Sequence, residues 1–231
     1  MHVPDGFLDA PTSLATAGVA AVAVAAALRG ARRELDDRSA PLAGLVAVFV
    51  FAAQMVNFPV GAGTSGHLMG GVLAAVLVGP WTATLAVTVV LMVQALAFAD
   101  GGLTALGTNV TLIAVVAVWV GYAVFRVLQR LAPRSGRLIP VAAAVGALVS
   151  VPAAALVFAG LWAVGGAAPI DLGLLTTTMV GWHTVIGIGE AVITFLAVSA
   201  IMTARPDIVH AARHLTPQRP LEIRTAAQAS S

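Results

Sequence analysis

The chain begins Met1-His2, and a free terminal amine followed directly by histidine is a metal chelator built from consecutive atoms of one strand. The amine, the backbone nitrogen of residue 2 and the His2 imidazole Nδ1 close two fused rings around a small transition metal. A fourth nitrogen would complete the tetragonal set that suits Ni(II) or Cu(II). His67, in Gly63-Thr64-Ser65-Gly66-His67, is the donor of choice. Pro59 and the glycines at 61, 63 and 66 let this loop turn sharply and approach another segment closely. Without Met1-His2 the same loop reads as a plain connecting turn whose histidine meets solvent or headgroups.

Further polar residues flank these donors. Asn57 and Ser65 lie on the same loop, and Asp100 and Asn109 end one apolar run and open the next. Asp100 and Asn109 suit either a hydrogen bond to a ligand histidine or the capping of a helix. His183 and Glu190 are seven residues apart and share one helix face, two turns from each other. Ionisable groups inside a span face the bundle interior and mark a functional path, or pair with each other and with backbone. His183 fits an orienting role behind the ligands, and Glu190 fits either such a role or a buried hydrogen bond between helices while protonated. Gln54 and Gln94 read as interhelical hydrogen-bonders.

The elements that must position these groups belong to a bilayer. Hydrophobic residues make up 59% of 231, charged ones 10%, and mean hydropathy is +0.97, so polar side chains cannot cover a soluble globule. A net charge of +2 gives no case for a nucleic-acid partner. Cysteine is absent, which removes disulfides, thiolate ligands and cysteine nucleophiles. The first twelve residues carry Asp5 and Asp9, two prolines and no basic region, so no cleavable signal is expected. Met1 is expected to persist because the bulky His2 follows it.

About 20 apolar residues cross a bilayer, and seven runs qualify as candidates: Thr12 to Leu28, Pro41 to Phe58, His67 to Gly79, Trp81 to Ala99, Thr108 to Leu128, Leu138 to Val164 and Leu174 to Thr203. The third is short, and Gly79-Pro80 separates it from the fourth, which also fits a re-entrant hairpin. Charge argues for a crossing. All 12 basic residues are arginines, grouped at 29–38, 126–137 and 205–224, and seven crossings put every one on the cytoplasmic side. The expectation is an all-α, seven-helix membrane domain over residues 1–204, amino terminus outside, followed by a cytoplasmic tail at 205–231 that frays. His2 and His67 then share the outer face.

Met1-His2-Val3-Pro4-Asp5-Gly6-Phe7-Leu8, Asn57-Phe58-Pro59-Val60 leading to Gly63-Thr64-Ser65-Gly66-His67, Asp100-Gly101-Gly102-Leu103-Thr104 and Gly187-Ile188-Gly189-Glu190 together resemble the CbiM/NikM proteins. These are the substrate-specific components of cobalt and nickel energy-coupling-factor transporters, and the likeness runs from Met1 to about Met202. It implies a seven-span domain whose amino-terminal segment folds back into the pocket. The ligands it implies are the Met1 amine, the His2 backbone nitrogen, the His2 imidazole and the His67 imidazole. No resident cofactor is implied, since Ni(II) or Co(II) is cargo. Nitrogen-only tetragonal ligation leans towards Ni(II), although copper binds most tightly in the usual order. The implied partners are a membrane coupling subunit, cytoplasmic ATPases and often a small two-span accessory protein, which is not expected as a fusion here. The absence of lysine agrees, because no phosphate-binding Gly-x-x-x-x-Gly-Lys loop can form. Ala17, Ala21 and Ala25 form a smooth stripe suited to the coupling subunit or to packing within the bundle.

Two rivals are weaker. An intramembrane metalloenzyme needs a His-Glu-x-x-His pair or an equivalent cluster, which the chain lacks. A vitamin-binding subunit needs aromatics around a larger pocket, and the chain has one tyrosine and four tryptophans.

Overall fold

Asp9 starts the first helix by accepting the Thr12 N–H at 2.9 Å, with Pro11 in the first turn where no N–H is needed. The structure, a computed structural model, describes residues 1–36, 39–61, 64–131, 135–213 and 215. Helix α1 is Ala10–Ala31 and α2 is Ser39–Met55. A short antiparallel hairpin follows, β1 Phe58–Gly61 and β2 Thr64–Gly66. Next come α3 Gly71–Val78, α4 Pro80–Ala97 and a long rod, α5, Leu106–Leu131, whose stretch Val110–Ala117 is wound as a π-helix. Helices α6, Leu138–Gly165, and α7, Leu172–Ala204, pack along each other. Short 3₁₀ turns at Pro206–Ile208 and His210–Ala212 follow.

Helices α1, α4, α5, α6 and α7 are long and apolar enough to cross a membrane, and α2 is a shorter apolar helix. Val164 is 81% exposed and Leu45 and Leu96 68% each, an apolar exterior that suits hydrocarbon rather than water. The third expected run is the main departure. Its helix spans only eight residues, about 12 Å, and every one of them is buried. It starts at Gly71 rather than His67, because residues 58–66 pair as a hairpin and 67–70 run on without helical bonds. Hydropathy cannot distinguish a segment covered by protein from one covered by lipid, and among the described residues the hairpin is the one strand element outside an all-α description.

Gly79-Pro80 makes the break between α3 and α4. Gly79 has φ +96°, in the left-handed region, and a Cβ there would run into the Glu34 carboxyl group. Glu34 caps α4 by accepting the Thr82 N–H at 2.7 Å, the Thr82 hydroxyl at 2.9 Å and the Trp81 N–H at 3.2 Å. Burial pushes its carboxyl group up from the ordinary range.

Helix α1 is stitched to α5 by Thr16 Oγ1 to Thr108 Oγ1 at 2.7 Å and by the Thr111 hydroxyl donating to Thr16 O at 2.8 Å. Gly107 packs on Ala17, while Ala21 and Ala25 stay exposed. At the carboxyl end Val209 and Ala212 are buried, so the stretch after Ala204 folds back onto the bundle before the chain passes outside the described residues. Most of the expected tail, residues 214 and 216–231, lies outside them, as do Arg38, Arg134 and Gly63.

Candidate metal centre

Residues 1–8 dip into the mouth of the bundle, and Met1 is only 1% exposed. Backbone pairing holds them there. Val3 N–H donates to Asn109 Oδ1 at 2.7 Å, and Asn109 Nδ2 donates back to Val3 O at 3.1 Å, so one side chain mimics the edge of a strand. Gly102 N–H also donates to Val3 O, at 3.0 Å. The Asp5 carboxylate accepts the Thr104 and Leu103 N–H groups at 2.7 and 3.2 Å and the Thr104 hydroxyl, which holds it below the usual carboxylate range. A Cβ on Gly102 would strike Asp5, so this approach requires glycine. Asp9 N–H donates to Gly165 O, Ala167 N–H donates to Phe7 O, and the Phe7 ring meets Trp162 edge-on. All four connections expected on one face therefore meet around the terminus.

The two candidate imidazoles meet at its tip. His2 and His67 stack with ring centroids 4.3 Å apart and 24° between planes. His2 Nδ1 lies 3.1 Å from Asp100 Oδ1, and Asn57 Nδ2 donates to the other Asp100 oxygen at 3.2 Å. Chelation through Nδ1 therefore requires that carboxylate contact to be exchanged. Gln94 stands beside the His2 ring. A groove lined by His2, Pro4, Asn57, Phe58, Thr64 and Asp100 opens onto His2.

His67 is fixed from below. Its Nδ1 faces Leu68 O at 2.8 Å, which requires the proton on Nδ1 and leaves the Nε2 lone pair free. Glu190 accepts the Met69 and Gly70 N–H groups at 2.8 and 2.9 Å, and Gln54 Nε2 donates to Met69 O at 2.8 Å. His183, fully buried on α7, places Nδ1 2.8 Å from Met179 O.

Electrostatics favours the uncharged forms of these nitrogen groups. Burial pushes the Met1 amine down to about 4, against the opposing pull of Asp100 and Glu190. Burial also lowers His2, opposed by Asp100, while the His2 hydrogen bond holds Asp100 below its ordinary value. Among the described residues no three His, Cys, Asp or Glu side chains are gathered as a ready-made cage. A donor set centred on His2 and His67 needs nitrogen from the chain itself.

The structure thus brings together Met1, His2 and His67, with Asp100 against His2 and Asn57 behind it. Asn109 grips Val3 rather than a histidine, and Glu190 grips the loop after His67. Ser65 pairs with Pro59 in the hairpin and lines the groove. Sequence reasoning missed the anchoring by Asp5 and the cap from Glu34. An acid in Pro4-Asp5-Gly6 facing Gly101-Gly102 was the available signal for the first. Gln54, expected between helices, instead supports the His67 loop.

Comparison with known proteins agrees on the class. The family model CbiM, described as a cobalt uptake substrate-specific transmembrane region, matches residues 2–208. A metal transport protein of Haloquadratum walsbyi is 43% identical over 90% of this chain and 93% of its own length. A fused nickel transport protein, NikMN, of Archaeoglobus fulgidus is 42% identical over 90% of this chain and 68% of its own length. A crystal structure of a truncated transition metal transporter superposes with a TM-score of 0.81 at 31% identity, covering 88% of this chain and 99% of that one.

Proposed function

Because the chain belongs to the CbiM family of cobalt-uptake substrate-specific transmembrane regions, we propose that it captures Ni(II) or Co(II) at an outer-face, four-nitrogen site and delivers the ion inward as the substrate-binding component of an energy-coupling-factor importer. The observation that carries this reading is the buried Met1 amine beside the stacked His2 and His67 rings. The Met1 amine, the His2 backbone nitrogen, His2 Nδ1 and His67 Nε2 are the ligands. The backbone nitrogen binds as a deprotonated amide, so capture releases that proton. His2 frees Nδ1 by passing its proton to Nε2, beside Gln94, which leaves Asp100 to steady the loaded site. A tetragonal all-nitrogen set favours Ni(II).

The reading includes seven crossings with the amino terminus outside. The clustering of all four site-bearing connections fits that topology, as do the arginines at the opposite ends of the helices. ATP hydrolysis then belongs to cytoplasmic subunits joined through a membrane coupling subunit, with a small accessory protein as a further partner. The exposed Ala21 and Ala25 fit the coupling contact.

The experiment is to place one glycine before Met1. The amine then moves out of its chelate ring and a further residue must enter a filled space. The extended terminus, amine-x-x-His, offers four nitrogens by itself and no longer needs His67, so Ni(II) uptake is expected to fail even where metal still binds, whereas His67→Ala is expected to lower Ni(II) affinity at least a hundredfold in chelator competition on purified protein. Normal uptake by the extended protein would refute the site.

A further inference from the structure

Three buried imidazoles share an arrangement of which the proposed chelate uses only two. His2, His67 and His183 each hold Nδ1 against an oxygen, from Asp100, Leu68 and Met179 respectively. Each leaves a buried Nε2 with no hydrogen-bond partner among the described residues. For His67 and His183 the facing group is a carbonyl, which accepts and cannot donate, so the proton sits on Nδ1 and Nε2 offers a lone pair. An interior histidine with a purely structural role would be expected to satisfy both nitrogens, since a buried polar atom left without a partner is destabilising.

The position of His183 is set by the contacts along α7. Thr178 packs on Gly61, Ile186 packs on Gly66, and Glu190 accepts from Met69 and Gly70, so α7 runs alongside the strand and loop that carry His67. Met179, His183, Ile186 and Glu190 form its buried stripe. His183 lies on that stripe between Thr178 and Ile186, near enough for its charge to be felt by His67 and by the Met1 amine.

We propose that His183 Nε2 is a further ligand for the transported divalent ion, forming with His67 Nε2 a two-imidazole site that receives the ion when the amino-terminal segment lets go. This rests on the function proposed above. A chelate of three fused nitrogens releases slowly unless another donor takes over, and a two-imidazole site binds more weakly and so passes the ion on. Borderline neutral nitrogen suits Ni(II) and Cu(II). Further along, Thr194 Oγ1 on the same stripe and Gln54 Oε1 beside Met69 are buried oxygens that also lack a partner among the described residues.

The test uses the full chain with its native terminus, Cu(II) as probe, and pulsed electron paramagnetic resonance, which counts coordinated imidazoles through their remote nitrogens. In His2→Ala the first site is broken, and the remaining Cu(II) is expected to carry two imidazoles. In His2→Ala/His183→Gln it should carry one, with affinity at least tenfold lower. His183→Asn in the same background gives the same outcome and guards against a folding defect peculiar to glutamine. One imidazole in His2→Ala, or an unchanged spectrum and affinity in both double variants, overturns the proposal. If the wild-type chain binds neither Ni(II) nor Cu(II), the four-nitrogen site falls first. Intact wild-type binding with only one imidazole in His2→Ala sinks the second station alone.

Discussion

Asn109→Leu removes the clamp on the terminus while keeping a side chain of similar size. Asn109 is buried and makes two bonds to Val3, accepting at 2.7 Å and donating at 3.1 Å. Val3 O retains a donor in Gly102 N–H, so only the Val3 N–H loses its partner. Leaving that buried N–H unsatisfied costs about 1–3 kcal/mol, and the second bond adds about 1, for a total of roughly 2–4 kcal/mol. Asp5, Phe7 and Asp9 still hold the segment further along, so the bundle should stay folded while its first four residues detach. Apparent affinity falls with the docked fraction. Once the existing docking preference absorbs part of the penalty, a tenfold to hundredfold loss of Ni(II) affinity remains. Competition with a chromophoric chelator measures the affinity, and hydrogen exchange at Val3 reports the clamp. An affinity within threefold of wild type, with Val3 exchange unchanged and the fold intact, would refute the assignment of Asn109 as the clamp.

Two further outcomes follow from the same site. The Met1 amine is pushed from 8.0 to about 4 when docked, so docking is unpenalised above pH 8 and loses about 1.4 kcal/mol per unit as pH falls towards 4. Corrected exchange protection of the Val3 amide should drop up to tenfold between pH 7 and pH 6, and formylated protein, which has no titrating amine, should show no such slope. Glu190→Gln exchanges one accepting oxygen for an N–H donor facing Met69 or Gly70. It should weaken Ni(II) binding about tenfold by loosening the His67 loop, at a cost of about 2 kcal/mol, measurable by the same competition assay.

The parts of the fold legible in sequence are those where one physical preference dominates. Long apolar runs became α1, α4, α5, α6 and α7 because nothing competes with hydrophobicity over 18 residues or more. Gly79-Pro80 became a helix break because only glycine accepts φ +96° and proline suits a first turn. The hairpin at 58–66 was not legible. Its strands are short, contain Pro59 and two glycines, and lie against α7 side chains that hydropathy does not reveal. The meeting of Met1, His2 and His67 was inferable from donor chemistry. The hands that hold them were not, because Asn109 and Glu190 act on backbone atoms whose positions exist only once the bundle has formed.

With the Met1 amine as a ligand, as proposed, the buried first methionine would make metal capture depend on an event that precedes folding. A nascent copy that keeps its formyl group would build the same helices, insert and present the same outer surface to its neighbours, yet hold no cargo. The rate at which a cell trims its newest polypeptides would then set the metal-binding fraction of the protein, independently of how much of it the membrane contains.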